Sequence, residues 1–235
     1  MSDSQPPVCI ITGVGPGTGS ALVRRFASDY RVAMIARDEE RLAALASEVP
    51  ETSVWPCNVA DSDAFGATLA AIEAELGAAR VVIHNAVGGG MVDIMELEPR
   101  VLERNFRVNT MALLQLVQTC GAAMVEAGEG AILATGNTAA YRGKAAFSAF
   151  APTKAAQRIL LESAARALGP KGVHCCYVAI DAVIDVPWTR EWYSDKPDEF
   201  FCQPADIAEE CHRLAHQPRS AWTFDSVIRP FGEAW

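Results

Sequence analysis

The first residues that point to chemistry form a glycine-rich turn near the start of the chain. An apolar run, Val8–Ile11, breaks there into glycines just before a helix that we predict over Ser20–Ser28. Glycines let the backbone approach an anion closely, and the free N–H groups at a helix start attract negative charge. A plain loop is the alternative for glycine spacing alone, but the strand-turn-helix order favours a phosphate site. The predicted contact residues are Thr12, Gly13, Gly17, Thr18 and Gly19.

Short apolar runs that alternate with longer helical patterns must position this turn. We predict strands over Val8–Ile11, Val32–Ala36, Thr52–Pro56, Arg80–His84, Ala131–Thr135, Val173–Ile180 and Ala221–Arg229. We predict the further helices over Glu39–Glu48, Asp61–Leu76, Pro99–Ala127, Phe150–Leu168 and Pro204–His216. This repetition predicts an α/β protein with a doubly wound parallel sheet of about seven strands and helices on both faces. Ligands of such sheets bind at the carboxyl ends of the strands.

Length, charge and cysteine usage limit the classes of function. A chain of 235 residues fits one α/β domain, so we predict a single domain over residues 1–235. The net charge of −9 and the lack of a Lys/Arg cluster argue against nucleic acid and membranes as partners. No apolar run approaches the ~18 residues of a membrane span. Seven scattered cysteines without a C-x-x-C pair indicate reduced thiols, no metal site and a cytoplasmic protein.

Four motifs along the chain resemble those of the short-chain dehydrogenase/reductase family. They are the glycine turn, the loop that begins with Asn85 and Ala86, Asn109 in the long middle helix, and Lys154 at the start of the next long helix. Each motif is modest alone, but their order and separations agree over about 140 residues. The resemblance implies a Rossmann-type fold and a nicotinamide cofactor in contact with Asn85, Ala86 and Lys154. It also implies a small-molecule substrate and a homodimer or homotetramer paired through the two long helices.

The end of the second strand bears on the choice between NAD and NADP. An acidic side chain there usually holds the ribose of NAD, whereas the 2′-phosphate of NADP needs a cation. By family position Ala36 replaces the acid and Arg37 follows it, which favours NADP. The alternative is a solvated arginine and use of NAD, with Asp38 swinging in. Asn58 stands where the family has an aspartate that contacts adenine, so we predict cofactor contacts for Asn58 and the following Val59.

The predicted active site departs from the family pattern. In relatives a Tyr moves the substrate proton, a Lys lowers the Tyr pKa and binds the nicotinamide ribose, a Ser bonds the substrate, and an Asn supports a proton-relay water. Asn109 and Lys154 match this pattern. Phe150 stands in the Tyr position, one helical turn before Lys154 and on the same helix face, with no proton to give. Asn137 stands in the Ser position, where it can hydrogen-bond a carbonyl but cannot replace the Tyr.

Three interpretations of these substitutions remain open at the level of sequence. The first is an oxidoreductase with a rearranged proton donor, for which Tyr141, Thr138 and Tyr193 are candidates. The second is an oxidoreductase for a substrate that needs hydride but little proton help, such as an imine or an activated alkene. A carbonyl reduced without a donor would leave an unstabilised alkoxide. The third is a catalytically silent NADP(H)-binding protein that acts as a sensor or partner subunit.

The segment 185–203 covers the substrate in relatives. Its aromatic residues indicate a small apolar or aromatic ligand, with local packing as a nearly equal alternative: Trp188, Trp192, Tyr193, Phe200 and Phe201. By family position Asp185 replaces a Thr that holds the cofactor, and its charge would repel a pyrophosphate. His212 and His216 have the spacing of a metal pair, but no third ligand is near, so we predict a solvated surface pair.

Overall fold

Seven parallel strands form the central sheet of the protein, which we describe over residues 5–232 from a computed structural model. The strands are β1 (Val8–Thr12), β2 (Arg31–Ala36), β3 (Thr52–Pro56), β4 (Ala79–His84), β5 (Gly130–Gly136), β6 (Val173–Ile180), β7 (Val183–Ile184), β8 (Phe201–Cys202) and β9 (Asp225–Ile228). The α-helices are α1 (Thr18–Phe26), α2 (Glu39–Glu48), α3 (Ser62–Leu76), α4 (Pro99–Phe106), α5 (Ala112–Ala127), α6 (Ala151–Leu168), α7 (Pro187–Trp192) and α8 (Pro204–Ala215). Single 3₁₀ turns occupy Thr138–Ala140, Gly169–Lys171 and Asp198–Phe200.

The strand order in the sheet is β3-β2-β1-β4-β5-β6-β9, while β7 pairs with β8 in a separate ribbon. From β1 the chain winds outward to β3, then crosses to β4 and winds the other way. Every residue of β1 and β6 is buried, as expected when helices cover both faces of a parallel sheet. The predicted doubly wound Rossmann-type α/β fold is confirmed. The order reverses between β1 and β4, so a crevice opens at their carboxyl ends.

The two faces of the sheet carry two separate apolar cores. Successive side chains of a strand point to opposite faces, so Ile10 lies in one core and Ile11 in the other. Helices α3, α5 and α6 cover the first face, and α1, α2 and α8 cover the second. Leu113 and Ile207 are fully buried examples from the two sides. The rigid sheet therefore fixes the strand ends that carry the predicted site residues.

Several element boundaries differ from the sequence prediction by one or more residues. Helix α1 begins at Thr18 rather than two residues later, so this residue lies in the first helical turn. Helix α6 begins at Ala151, and Phe150 is its N-cap. The last strand is only Asp225–Ile228, because the residues before it form a loop in which the Gln217 side chain accepts from the Thr223 amide. Apolar and β-branched residues in that loop produced the longer prediction.

The long helix predicted over Pro99–Ala127 is continuous but contains a π-helical turn at Arg107–Met111, which includes Asn109. Such turns are common at functional positions because they redirect side chains. Among the described residues this is the one helix long and apolar enough to span a membrane, with a mean hydropathy of 1.3 over its best window. Polar and charged residues interrupt the apolar residues of this helix, so the sequence prediction did not include it as a possible span. Leu113 and Met124 on this helix are buried in the core, as in core helices of similar composition.

Candidate active site

The glycine turn joins β1 to α1 at the crevice. Gly13 has a φ of +71°, and a Cβ there would lie 2.4 Å from the backbone nitrogen of Ala86. Gly17 has a φ of +98°, and its Cβ would lie 2.5 Å from Val186 Cγ1. A Cβ on Gly19 would lie 2.6 Å from the Gly13 carbonyl oxygen. Only glycine fits these positions, so the turn presents bare backbone at the start of α1.

Hydrogen bonds fasten this turn to the loop that follows β4. Asn85 donates from Nδ2 to the Gly13 carbonyl at 2.9 Å, and its Oδ1 accepts from the Thr135 hydroxyl at 2.8 Å. The Ala86 amide donates to Thr12 Oγ1 at 3.4 Å. Thr12 is fully buried and lies behind the turn. The predicted residues Thr12 and Asn85 therefore hold two loops together, and only Asn85 also lines the open crevice.

His84 at the end of β4 is a buried neutral histidine. Its Nε2 lies 3.0 Å from the Val108 carbonyl, which can only accept, so Nδ1 accepts from the Thr12 hydroxyl at 2.9 Å. Burial first, and then the charge of Lys154, lowers the pKa of His84 to about 3. At neutral pH the ring therefore carries no charge, and its two hydrogen bonds link β1 to the π-helical turn.

A cleft of about 1270 Å³ runs along the carboxyl ends of the strands. The predicted cofactor residues in its lining are Gly13, Thr18, Gly19, Arg37, Asn58, Val59, Asn85 and Ala86. The Thr18 hydroxyl is buried in the first turn of α1 without a hydrogen-bond partner among residues 5–232. A buried unpaired hydroxyl is costly unless a ligand oxygen pairs with it. The glycine cradle and this hydroxyl together fit the pyrophosphate of a dinucleotide.

Arginines border one end of the cleft. Arg37 and Arg41 line it, and Arg37 is exposed, with no ion pair to any described residue. Asp38 caps α2 by accepting from the Arg41 amide at 3.1 Å, and it pairs with the Arg41 side chain at 2.9 Å. The Asp38 carboxylate is therefore already hydrogen-bonded at the start of α2. Asn58 lies at the same end, but its Oδ1 accepts from the Ala60 amide at 3.2 Å, so the predicted adenine acceptor is engaged in a local turn.

Lys154 and Asn109 meet in a buried network near the other end of the cleft. Lys154 Nζ donates to the Thr135 carbonyl at 3.2 Å and to Gln157 Oε1 at 2.9 Å. Asn109 donates to the Gly88 carbonyl at 2.7 Å and accepts from the Gly88 amide at 2.8 Å, so it holds a loop that lines the cleft. Burial lowers the pKa of Lys154 to about 7. The ammonium lies behind the cleft wall, with 3% of the residue exposed.

Phe150 and Asn137, which we predict to stand in the Tyr and Ser positions of the family, offer no transferable proton. The Phe150 ring centroid lies 5.7 Å from Lys154 Nζ, and a Cβ on Gly89 would lie 3.5 Å from the ring. Asn137 donates from Nδ2 to the Ile180 carbonyl and accepts at Oδ1 from the Ala139 amide, both at 2.8 Å. The Asn137 amide thus caps the turn after β5, and its predicted bond to a substrate carbonyl competes with these contacts.

The alternative proton donors fall in different places. The Tyr141 hydroxyl donates to Asp225 at the sheet edge, and burial, followed by this bond, raises the Tyr141 pKa well above its usual value. The Thr138 hydroxyl donates to Asp181. Both hydroxyls are therefore engaged by carboxylates, and neither Tyr141 nor Thr138 is part of the cleft lining. Tyr193 does line the cleft, at its mouth.

The charge predicted to repel a pyrophosphate is turned away from the cleft. Asp185 accepts from Arg190 at 2.6 and 2.7 Å and from Gln203 at 2.7 Å, and the Arg190 guanidinium lowers the Asp185 pKa. Val186, one residue later, faces the glycine turn instead, and Thr189 also lines the cleft. The expected repulsion is absent because Arg190 and Gln203 bind the Asp185 carboxylate outside the cleft lining.

Exposed apolar side chains surround the mouth of the cleft. Trp188, Trp192 and Tyr193 from the predicted covering segment are 40%, 70% and 38% exposed. Val87 and Met91 face them across the opening and are also exposed. Phe200 and Phe201 instead pack edge to face against each other, 5.2 Å between centroids. The rim can therefore contact an apolar or aromatic ligand.

The histidine pair on α8 is tied to α1. His212 Nε2 lies 2.8 Å from Asp29 and Nδ1 lies 2.8 Å from Arg25, while His216 Nε2 lies 2.8 Å from the Tyr30 hydroxyl. His212 is therefore partly buried, whereas His216 is exposed as predicted. Over the described range no group of three or more His, Cys, Asp or Glu could hold a metal ion.

Two residues of the site were not anticipated from sequence. Gln157 lies one turn beyond Lys154 on α6, and its Nε2 donates to the Asn109 carbonyl at 2.8 Å. Arg104 lines the cleft from α4, one turn before Val108, which also lines it. Helical spacing from Lys154 and Asn109 was the available signal, since residues three to four apart share a face.

Comparisons with known proteins agree with this geometry. The sequence pattern described as short chain dehydrogenase matches residues 7–196. Carbonyl reductase (NADPH) 2 of Sus scrofa is 26% identical, over 68% of this chain and 65% of that protein, slightly less than two thirds of its length. The short-chain dehydrogenase/reductase eriH of Hericium erinaceus is 30% identical over 71% of this chain and 70% of that protein.

Solved structures show the same fold over nearly the whole chain. A metagenomic short-chain oxidoreductase in complex with NADP is 26% identical with a TM-score of 0.84, covering 97% of this chain and 98% of that one. A short-chain dehydrogenase from Rhodopseudomonas palustris is 28% identical with a TM-score of 0.83, covering 97% and 100%. Pattern, relatives and architecture agree on one assignment. The chain belongs to the short-chain dehydrogenase family.

Proposed function

We propose that this protein is an NADP(H)-dependent oxidoreductase with a non-standard active site, acting on a small apolar or aromatic substrate. The observation that carries the proposal is the cleft that starts at the glycine cradle and the unpaired Thr18 hydroxyl. The pyrophosphate would meet the start of α1, and the adenosine would lie toward Arg37. When bound, a reduced nicotinamide supplies a hydride. Family membership, a carbonyl reductase among the relatives and a neighbour with NADP support this assignment.

The preference for NADP rests on the charges beyond β2. Arg37 is exposed at the cleft with no described ion pair, so it is free to bind a 2′-phosphate. Asp38, the one carboxylate there that could select NAD, caps α2 and pairs with Arg41. Both features favour the phosphorylated cofactor. Asn85 and Ala86 line the middle of the cleft, and Lys154 supports the nicotinamide end from behind.

The non-standard site leaves a second candidate, a silent NADP(H)-binding protein. Phe150 and Asn137 favour it, because neither side chain can move a proton to a carbonyl substrate. Lys154, Asn109 and the aromatic rim favour a working enzyme. Turnover decides between the two candidates, whereas cofactor binding is common to both.

Cofactor binding is tested by titrating NADPH, NADP⁺, NADH and NAD⁺ against the protein, with nicotinamide fluorescence or calorimetry as readout. Gly17→Val should abolish binding, because its side chain enters the space of Val186 at a positive φ. Thr18→Val, which keeps the side-chain shape, should weaken binding about 2- to 10-fold through one lost hydrogen bond. Gly143→Val is the control, because Gly143 is exposed and has open space around its Cβ position. Wild-type protein without affinity for any of the four nucleotides would contradict the proposal.

We further propose one domain over residues 1–235, with 185–203 as the covering segment, in a cytoplasmic homodimer or homotetramer. Met111 on the π-helical turn and Ile159 on α6 support assembly through the long helices, because both apolar side chains are more than half exposed in the single chain. Light scattering at micromolar concentration should give a multiple of 25.2 kDa. A single 25.2 kDa species would reject the assembly.

A further inference from the structure

Gln157 links Lys154 to Asn109 through a chain of amide contacts. Its Oε1 accepts from Lys154 Nζ at 2.9 Å, and its Nε2 donates to the Asn109 carbonyl at 2.8 Å. The other Lys154 acceptor is the Thr135 carbonyl. Gln157 is fully buried, so its amide fills the space between the ammonium and the π-helical turn. An amide carries no proton that it can give up near neutral pH.

Lys154 is therefore isolated from any described group that could pass it a proton. Phe150 presents a ring face toward its Nζ, and the hydroxyl nearest to Asn109, that of Thr153, donates to the Phe150 carbonyl at 2.7 Å. His84 is held neutral between two partners. At this end of the cleft Phe150 carries no transferable proton, and the Lys154 ammonium is engaged by two acceptors behind the wall.

Hydride acceptors differ in what they need after the transfer. A ketone becomes an alkoxide and an activated alkene becomes a carbanion, and both then require a proton. An N-substituted iminium ion becomes a neutral tertiary amine and requires none. Of the acceptor classes considered for this site, the iminium ion is the one that a site without a proton donor can reduce completely.

The charge distribution along the cleft also favours a cation at the mouth. The far end carries Arg37 and Arg41, whereas no basic side chain of the covering segment 185–203 lines the cleft. Two Trp rings and one Tyr ring, Trp188, Trp192 and Tyr193, line the mouth. Indole rings are the best aromatic partners for organic cations. One end of the cleft thus suits an anionic cofactor and the other an apolar cation.

We propose that the substrate class is an N-substituted iminium cation with apolar substituents, and that Gln157 is a positioning residue that closes the site to protons. This rests on the proposed function. A hydride carries two electrons from the reduced nicotinamide to the iminium carbon, and the π pair of the C=N bond becomes the nitrogen lone pair. The products of this step are a neutral tertiary amine and the oxidised cofactor, and the step itself needs no proton; the amine takes up a proton from water after release.

Recognition of the cation is tested without turnover. The protein saturated with NADPH is titrated with N,N-dimethyl tetrahydroisoquinolinium, which has no double bond to accept hydride, and with dimethyltetralin, its neutral carbocyclic analogue. Tryptophan fluorescence should report tighter binding of the cation by roughly 2- to 30-fold. Trp192→Leu, which keeps an apolar side chain, should reduce this ratio. Equal binding of the two probes would overturn the proposal.

Turnover is tested with N-methyl dihydroisoquinolinium and with tetralone, a ketone of the same bicyclic size, by following NADPH absorbance. Rates without protein and with Gly17→Val are subtracted, since iminium ions react slowly with free NADPH. We expect at least a tenfold preference for the iminium ion, whose charge is permanent, and no pH dependence across neutrality beyond the one that the titration of Lys154 near pH 7 produces. Gln157→Glu, of the same size but able to ionise, should change that pH dependence.

The outcomes separate the two proposals. Failure to bind NADPH contradicts the proposed function and this inference with it. NADPH binding without reduction of the iminium ion overturns the inference alone. Reduction of tetralone as fast as that of the iminium ion also overturns the inference. If Tyr193→Phe then lost tetralone reduction, the proton donor would be Tyr193, the one tyrosine among the described residues that line the cleft.

Discussion

Phe150→Tyr is the substitution that most directly measures what this site lacks. The ring centroid lies 5.7 Å from Lys154 Nζ, so a hydroxyl on the ring would lie at about 6 Å from the ammonium. At an effective dielectric constant of about 20, two unit charges at that distance interact by about 2.8 kcal/mol. This corresponds to about 2 pKa units, which would bring the phenol from about 10 to about 8. A phenol of that pKa is an effective general acid near neutral pH.

The gain should appear in ketone reduction. A positioned general acid typically contributes ~10²- to 10⁴-fold, so tetralone reduction by Phe150→Tyr should exceed that of the wild type by such a factor. Burial lowers the pKa of Lys154 to about 7, so its charge is fuller on the acidic side of neutrality and the gain should be larger there. The assay is NADPH oxidation at saturating cofactor, with affinity for NADPH measured in parallel.

Two variants control for the added hydroxyl. Phe147→Tyr places a hydroxyl on the neighbouring ring, 6.1 Å away between centroids, and should give no gain. Phe150→Leu removes the ring without adding a donor and should also give none. Brisk ketone reduction by the wild type and a slower Phe150→Tyr would refute the reasoning, because another donor would then be in place. Tyr141→Phe is the first test of that donor, although its hydroxyl is bonded to Asp225. NADPH binding without turnover by either form would favour the silent protein.

Two further predictions concern charge. Arg37→Ala should cost about 1.5–3 kcal/mol of NADPH binding and leave NADH binding nearly unchanged, as measured by calorimetry, and equal losses for both nucleotides would remove the argument. His84 has a folded-state pKa of about 3 against about 6.5 in the unfolded chain, so only the unfolded state gains a proton as the pH falls below about 6.5. The free energy of unfolding should then fall by roughly 1.4 kcal/mol per pH unit. Urea titrations at several pH values should show that the unfolding free energy of His84→Gln depends less steeply on pH than that of the wild type.

The fold was predictable because strand and helix periods alternate cleanly along the chain. The prediction for Val173–Ile180 matches β6 residue for residue, since a strand buried on both faces reads as a continuous apolar run. The loop after β6 was not predictable at the level of single positions. Asp185 and Val186 are adjacent in the chain, and only tertiary contacts decide which of the two faces the cleft. Asp185 pairs with Arg190, whereas Val186 contacts the glycine turn.

Gln157 shows a second limit of sequence reasoning. Its bond to Asn109 spans 48 positions of the chain and depends on the π-helical turn that directs the Asn109 carbonyl toward α6. No local sequence pattern predicts the Gln157–Asn109 hydrogen bond or the π-helical turn. Matching single positions to the family pattern predicts substitutions at Phe150 and Asn137, but it cannot predict which side chains fill the space behind these two residues.

Lys154 therefore needs a different explanation from the one that its position suggests. A nine-tenths buried ammonium is costly unless hydrogen-bonded, and here two neutral acceptors and a ring face surround it. In that setting the side chain ties β5 to α6 and, through Gln157, to the π-helical turn. These contacts give Lys154 a structural role that requires no proton transfer. We therefore expect cofactor binding to depend on the glycine turn and the reaction to depend on Phe150 and Gln157.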